Sequence, residues 1–176
     1  MARAPRGRSS VPDRPLHTDR CGEPPPALLR RGIEQFNQGN FFEQHETLEE
    51  LWRAERDDVR YLYQGILLVG VGMYHLFARR NYYGAVTKLE TGLRLLHWFR
   101  PACQGVDVDA LIAEAARARD AIVALGRERL AEFDPSLTPR VRLIGASAGE
   151  QGELPRSPAR RRPPNRALPG NKASPS

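Results

Sequence analysis

Cysteine is scarce in this 176-residue chain, with only Cys21 and Cys103. Two are too few for a disulfide framework, and neither belongs to a C-x-x-C pair. Each reads as a free thiol, and nothing points to an oxidising compartment. Long apolar runs are lacking too. The longest extends from Ile66 to Tyr74 and, past His75, to Phe77. A membrane helix needs about 20 such residues, so this run reads as a buried helix. The arginines near the start have no apolar stretch behind them, so no secretory signal is expected. These absences lead to the expectation of a soluble, cytoplasmic protein that does not enter a membrane. Alternating apolar segments are missing, which excludes a substantial sheet. So are a glycine-rich phosphate loop, a nucleophile elbow and a Ser-His-Asp order.

Hydrophobic residues make up 40%, while Gly and Pro number 15 each. That balance suggests segments outside any core. The charge is distributed accordingly: net +2 over residues 1–26, −2 over 27–139 and +6 over 140–176. The high pI of about 9.9 therefore belongs to the ends, and the centre is mildly acidic. Residues 1–26 are rich in Arg, Pro and Ser and finish in Pro24-Pro25-Pro26. Residues 140–176 include Arg160-Arg161-Arg162-Pro163-Pro164. Neither stretch has the apolar content to offset ordering entropy, so both are expected as disordered tails flanking a helical domain at 27–139.

The centre carries helix signals throughout. A first helix runs from about Ala27 to Gln38 and is stopped by Gly39. Asn40 offers an N-cap for a second, with Glu43 as its capping-box partner. Asp57 and Asp58 offer caps for a third, to about Arg79. Asn81 caps a fourth, which Pro101 ends after Phe99. Asp107 or Asp109 caps a fifth, ended by Gly126, and a short turn follows through Phe133.

An internal repeat runs through these helices. At an offset of 41 residues, Phe36, Asn40, Phe41, Phe42, Leu48 and Trp52 match Phe77, Asn81, Tyr82, Tyr83, Leu89 and Leu93. Each copy reads as a helix, an Asn-capped turn, two aromatics and a second helix. Two tetratricopeptide-like helical hairpins account for this pattern, although the offset exceeds the ~34 residues of that repeat. The expected fold is an all-α bundle of five to six helices.

At 100° per residue, Phe41, Leu48 and Trp52 share a stripe of the second helix. His45 falls within that stripe and Glu49 on its shoulder. Glu43 and Glu50 lie opposite, with Glu46 near the edge. The third helix is apolar all round and should be the central one. Gly65 and Gly72 leave one of its sides open to close approach. Arg60, Gln64, Val71 and His75 line another, although Gln64 and His75 are roughly 16 Å apart along the axis. In an antiparallel hairpin turning near Asp57, Glu49 meets Gln64 or Arg60, and His45 lies between Gln64 and His75.

The segment Phe36-Asn37-Gln38-Gly39-Asn40-Phe41-Phe42-Glu43-Gln44-His45-Glu46-Thr47-Leu48-Glu49-Glu50-Leu51-Trp52 resembles the signature of the domain-of-unknown-function 309 family. Tyr63-Gln64-Gly65-Ile66, His75 and Asn81-Tyr82-Tyr83-Gly84-Ala85 fit as well, so the resemblance covers about residues 28–100. It implies a small, all-helical fold found mainly in bacteria and archaea. It marks Glu43, His45, Glu46, Trp52, Gln64 and His75 as signature positions and supplies no mechanism.

His45, Glu46, Glu49, Trp52, Arg60, Gln64 and His75 are thus the candidate polar cleft. Two readings of its centre compete. In one, His45 and Glu49 are ligands for a divalent metal, or His45 works with Glu49 or Glu46 in a small hydrolytic or metal-dependent enzyme. Two groups make an incomplete metal site, however, and the spacing is not H-E-x-x-H. In the other, His45, Glu49, Gln64 and Arg60 form a buried hydrogen-bonded network that fixes helix register. No cofactor is otherwise called for. Trp52, Tyr61, Tyr63, Tyr74, Tyr82 and Tyr83 read as core aromatics or as the lining of a ligand groove. The leading expectation is a non-catalytic helical module that binds a partner protein or small ligand between the second and third helices. The C-terminal arginines could add weak, sequence-blind nucleic-acid binding, without aromatics to stack bases.

Overall fold

Leu29, Ile33 and Phe36 recur at helical spacing and are the buried stripe of α1 (Ala27–Asn37). The chain then reverses at Gly39, whose φ of 80° suits a residue without a Cβ. It enters α2 (Phe41–Ala54). Gly32 of α1 brings these two helices together, since a Cβ there would lie 2.7 Å from Leu48 Cγ. The computed structural model describes residues 11–145.

α3 (Arg60–Phe77) is buried along most of its length, as its all-round apolar sequence requires. It packs against α2 on one side and α4 (Tyr82–Leu96) on the other, while α1 covers α2 and α5 (Val108–Leu125) covers α4. Gly65 and Gly72 face α4, as the sequence suggests. A Cβ on Gly65 would sit 2.9 Å from Leu96 Cγ, and one on Gly72 would sit 2.8 Å from Leu89 Cγ. A Cβ on Gly92 of α4 would in turn lie 3.0 Å from the Gly65 carbonyl oxygen. The two backbones therefore approach closely around this pair.

The 41-residue repeat is visible in space. Leu48 and Leu89, its matched leucines, each press on a glycine of the preceding helix, Gly32 and Gly72. Gly39 and Arg80, also 41 apart, both take the left-handed conformation, with Arg80 at φ 49°. The caps differ. Asn81 Oδ1 accepts from the Gly84 N–H at 3.0 Å, whereas the Asn40 side chain caps nothing and its amide instead donates to Gln38 Oε1 at 3.2 Å. The expected Asn40–Glu43 capping box does not form.

Between α4 and α5 the chain makes a turn of 3₁₀ helix, His97–Phe99, and a two-stranded antiparallel hairpin. Its strands are β1 (Ala102–Cys103) and β2 (Val106–Asp107), too short to leave an alternating pattern in the sequence. Asp107 then caps α5 by accepting from the Ala110 N–H, and Gly126 ends it at φ 69°. A line of aromatics joins the two hairpins to the last turn. Phe36 meets Phe41 at 5.4 Å, Phe41 stacks on Phe77 at 6.4 Å, and Phe77 meets Phe133 at 5.9 Å edge-on.

The main departure from expectation lies at the ends. The described part of each expected tail is folded onto the bundle. Cys21 and Cys103 are not free thiols but a disulfide joining the N-terminal arm to β1. The Gln104 N–H donates to the Cys21 carbonyl at 2.7 Å, beside that bond. Arg14 forms a two-armed ion pair with Asp58, Thr18 donates to Asp57, and Arg20 reaches Glu55 at 2.6 Å. Val11, Leu16 and Cys21 pack on the core. At the other end, Val141 is buried and exchanges both backbone hydrogen bonds with the Asn37 carboxamide. Leu143 bridges to Val106, and Glu114 holds the Arg140 N–H and the Arg142 guanidinium. The folded unit thus extends on both sides of 27–139. Composition hid this because its apolar anchors are single residues, held by side-chain bonds to distant helices. Residues 1–10 and 146–176, with the Arg160-Arg161-Arg162 run and its nucleic-acid reading, lie outside the described residues.

Candidate functional site

The face that α2 buries is set by Phe41, Gln44, Thr47 and Leu48. This face is turned about one residue from the stripe drawn through His45 and Trp52. Gly70 explains the shift. It leaves room on α3 for the Gln44 carboxamide, which is fully buried and donates a long hydrogen bond of 3.4 Å to the Ile66 carbonyl. His45, Glu49 and Trp52 consequently sit on the flank of the α2–α3 contact, each partly exposed.

On that flank lies a small, half-open cavity of about 100 Å³. His45, Glu49, Trp52 and Gln64 line it, together with Leu67, Leu68 and Val71 of α3 and Lys88 of α4. Four of the seven sequence-marked residues are therefore gathered at one place. Lys88 is the wall that sequence reasoning missed. It comes from a third helix, and no spacing within α2 or α3 could have announced it.

The expected hydrogen-bonded network of His45, Glu49, Gln64 and Arg60 is not what holds this site together. Glu49 accepts from Arg53 Nη2 at 2.7 Å, one turn along the same helix. Among the described residues, His45 and Gln64 form no side-chain hydrogen bond with each other or with Glu49. A long flexible arginine at i+4 takes the carboxylate at the protein surface, where reaching inward would cost solvation.

Several polar atoms at the site are withdrawn from solvent and lack partners. They are Gln64 Oε1, Trp52 Nε1 and Arg60 Nε, and Gln64 is only 4% exposed. Such unpaired atoms are not confined to this place, since Gln35, Gln44, His75 and Gln104 also carry one each. Arg60 does not line the cavity. Its guanidinium lies over the Trp52 ring at 4.6 Å and near the Tyr61 ring at 5.8 Å, in cation–π contact.

Glu46 is exposed and outside the cavity, as is Glu43. His75 stands apart too, packed where Gly84 opens α4: a Cβ on Gly84 would lie 2.6 Å from His75 Nδ1. Burial holds the His75 imidazole below its ordinary value, and the charges of Lys88 and Arg79 add to this. Tyr63 belongs to another buried contact, donating to Gln104 Oε1 at 2.9 Å under the disulfide, and burial raises its phenol. Tyr83 is largely exposed with Arg127 over its ring, and Phe42 leans on Tyr74. Among the described residues, no three His, Cys, Asp or Glu side chains gather where they could hold a metal ion. No described helix is long and apolar enough to cross a membrane.

The fold and cavity define a small all-α domain made of two helical hairpins, with a polar pocket on the flank of its central helix. Within it, residues 29–87 match the family model described as "Domain of unknown function (DUF309)". The match runs from α1 to the start of α4 and contains every signature position the sequence suggested. No curated protein matches the chain.

Proposed function

We propose that this domain is a non-catalytic binding module whose ligand is a small polar molecule held in the cavity between α2 and α3. The observation that carries this reading is the pocket itself, to which three helices contribute polar side chains: His45, Glu49 and Trp52 from α2, Gln64 from α3 and Lys88 from α4. The volume favours a small ligand over a protein partner. About 100 Å³ corresponds to roughly three waters at ~30 Å³ each.

The enzymatic alternative, with His45 acting beside Glu49 or Glu46, has less support. A general base needs a partner that orients it, and Glu49 is engaged by Arg53 while Glu46 faces solvent. A ligand-observed NMR screen of small polar compounds against the full chain tests the binding reading. Binders are expected to be lost or weakened in Gln64→Leu and in Trp52→Phe, with folding checked by circular dichroism. A screen without binders, or binders indifferent to both substitutions, overturns it.

A further inference from the structure

We infer that the N-terminal arm, residues 11–26, is a redox-controlled strap. The Cys21–Cys103 disulfide holds it closed over the α2–α3 turn, and reduction of that bond releases it while the bundle stays folded. Three features lead to this inference.

The first is where the bond lies. It ties no two helices of the bundle to each other. Cys21 belongs to an arm whose regular structure is one turn of 3₁₀ helix, Arg20–Gly22, and Cys103 belongs to the two-residue strand β1. The helices α1 to α5 pack on one another through an apolar core of their own. That core does not depend on the crosslink.

The second is how little else holds the arm. Val11, Leu16 and Cys21 are its apolar contacts with the core, and all three are only partly buried. Most of its other contacts are side-chain bonds at the surface: Arg14 to Asp58, Thr18 to Asp57 and Arg20 to Glu55. Surface ion pairs contribute little, whereas ordering a segment of this length costs entropy at every residue. The disulfide pins the arm at its middle and so raises the local concentration of these weak partners. Without it the arm is tethered at one end only, by α1.

The third is what the arm covers. Beneath it lie three carboxylates, Glu55, Asp57 and Asp58. Under their arginines the side chains of Glu55 and Asp58 are only 16% and 13% exposed. Release bares all three together and leaves them to repel one another. The turn then changes from a neutralised surface to an acidic one. Further along, Val11 and Pro12 line a groove with Leu93 of α4, Trp98 and Ile112 of α5. Release removes that part of the lining as well.

The chemistry is thiol–disulfide exchange with a dithiol. Cys21 is partly exposed and Cys103 is 1% exposed, so the attack falls on Cys21. A thiolate of the reductant bonds to Cys21 Sγ, the S–S bond breaks, and Cys103 leaves as a thiolate that takes up a proton. The second thiol of the reductant then attacks the mixed disulfide, which frees Cys21 and closes the reductant's own disulfide. Two electrons and two protons pass to the protein.

The test is hydrogen exchange, read by mass spectrometry, on the full chain before and after dithiothreitol in native buffer. Alkylation counts the free thiols, and circular dichroism follows the helices. Reduction is expected to yield two alkylated cysteines and unchanged helix content. Peptides from residues 11–22 are expected to exchange faster by on the order of tenfold or more. Cys21→Ser should show the fast arm without reductant, and reoxidation of the parent chain should restore the slow one. An arm as slow after reduction and in Cys21→Ser as in the oxidised chain overturns the inference, because the bond would not be what holds it. A disulfide that dithiothreitol reaches only in denaturant overturns it too, as does loss of helix content on reduction, since the bond would then be part of the folded bundle rather than a release.

Discussion

The carboxamide of Gln44 occupies the place that a side chain on Gly70 would fill. A Cβ at Gly70 would lie 2.8 Å from Gln44 Cδ and 3.1 Å from Nε2. Gln44 is fully buried, so it has no solvent to swing into. Gly70→Ala is therefore expected to destabilise the domain by about 1–3 kcal/mol, although alanine is the better helix former. In a Gln44→Ala background the same substitution should be neutral or stabilising, because the collision is gone. Denaturant melts of the four proteins measure the coupling. Additive effects would mean that the two residues do not compete for this space.

The disulfide and the N-terminal arm should contribute to stability together. Cys21 and Cys103 are 82 residues apart, a long loop whose closure restricts the unfolded chain. Reduction, or Cys21→Ser, is expected to lower stability by roughly 2–4 kcal/mol. Deleting residues 1–26 should cost at least as much, since it also removes Arg14, Thr18 and Arg20 from their partners on the α2–α3 turn. Melts with and without reductant, and of the truncated chain, decide this. Unchanged stability in both would show that the arm is only laid on the surface.

That arm should loosen in acid. The Arg14 guanidinium holds Asp58 below its ordinary value, and the Thr18 hydroxyl does so for Asp57. At Glu55 burial pushes upward, but the N–H groups of Asp57 and Arg56 and the Arg20 guanidinium outweigh it. Carboxylates depressed in the folded state contribute stability that is complete above the unfolded value, about 4, and is lost as pH falls through the folded one. Hydrogen exchange of residues 14–20 should therefore accelerate below about pH 4 while the helices stay protected. Asp58→Asn should show faster exchange already at neutral pH and a flatter acid response. Equal protection of the arm at pH 3 and pH 7 would contradict this.

How much of this was legible in the sequence depends on how far apart the interacting residues lie. The helices, the order of packing around α3 and the Gly65–Gly72 side were readable, because they rest on periodicity and small residues within one segment. The repeat told the same story, down to Leu48 and Leu89 facing glycines. The disulfide, the Val141–Asn37 pairing and the Leu143 bridge were not, because each joins positions more than 35 residues apart with no local pattern. His45, Glu49, Trp52 and Gln64, marked out by the sequence, line one cavity, while the face of α2 was misjudged. A glutamine is a poor guess for a buried stripe unless the glycine opposite is known to make room for it. Lys88 was invisible for the same reason as the disulfide.

His45 and Glu49 should behave independently in stability. Both are partly exposed, and the Glu49 carboxylate is bonded to Arg53. An i,i+4 surface pair is worth only about 0.3–0.5 kcal/mol. His45→Ala and Glu49→Ala are each expected to change stability by less than about 1 kcal/mol, and the double variant by their sum. A coupling above about 1 kcal/mol in the four-protein cycle would mean that the two side chains do meet in solution.

His75 sits in the α3–α4 contact, where burial and two neighbouring cations act on its titration. Burial lowers its titration first, and Lys88 and Arg79 lower it further. The unfolded imidazole titrates near 6.5, so it binds protons that the folded one refuses. Stability from this residue is accordingly complete above about pH 6.5 and declines as pH falls towards the folded value. Removing a neighbouring positive charge should raise the folded value, which narrows that gap. In Lys88→Met the His75 resonances are thus expected to titrate at higher pH than in the parent chain, and stability should fall less between pH 7 and pH 5. Arg79→Gln should act in the same direction. Substituting His75 with Gln should abolish the shared part of the slope, leaving the depressed carboxylates, among them Asp57, Asp58 and Glu114, to respond below about pH 4. NMR titration of the imidazole protons, with melts at matched pH, gives both quantities. A His75 titration unmoved by Lys88→Met would show that the Lys88 charge does not reach into the α3–α4 contact and that burial alone lowers this imidazole.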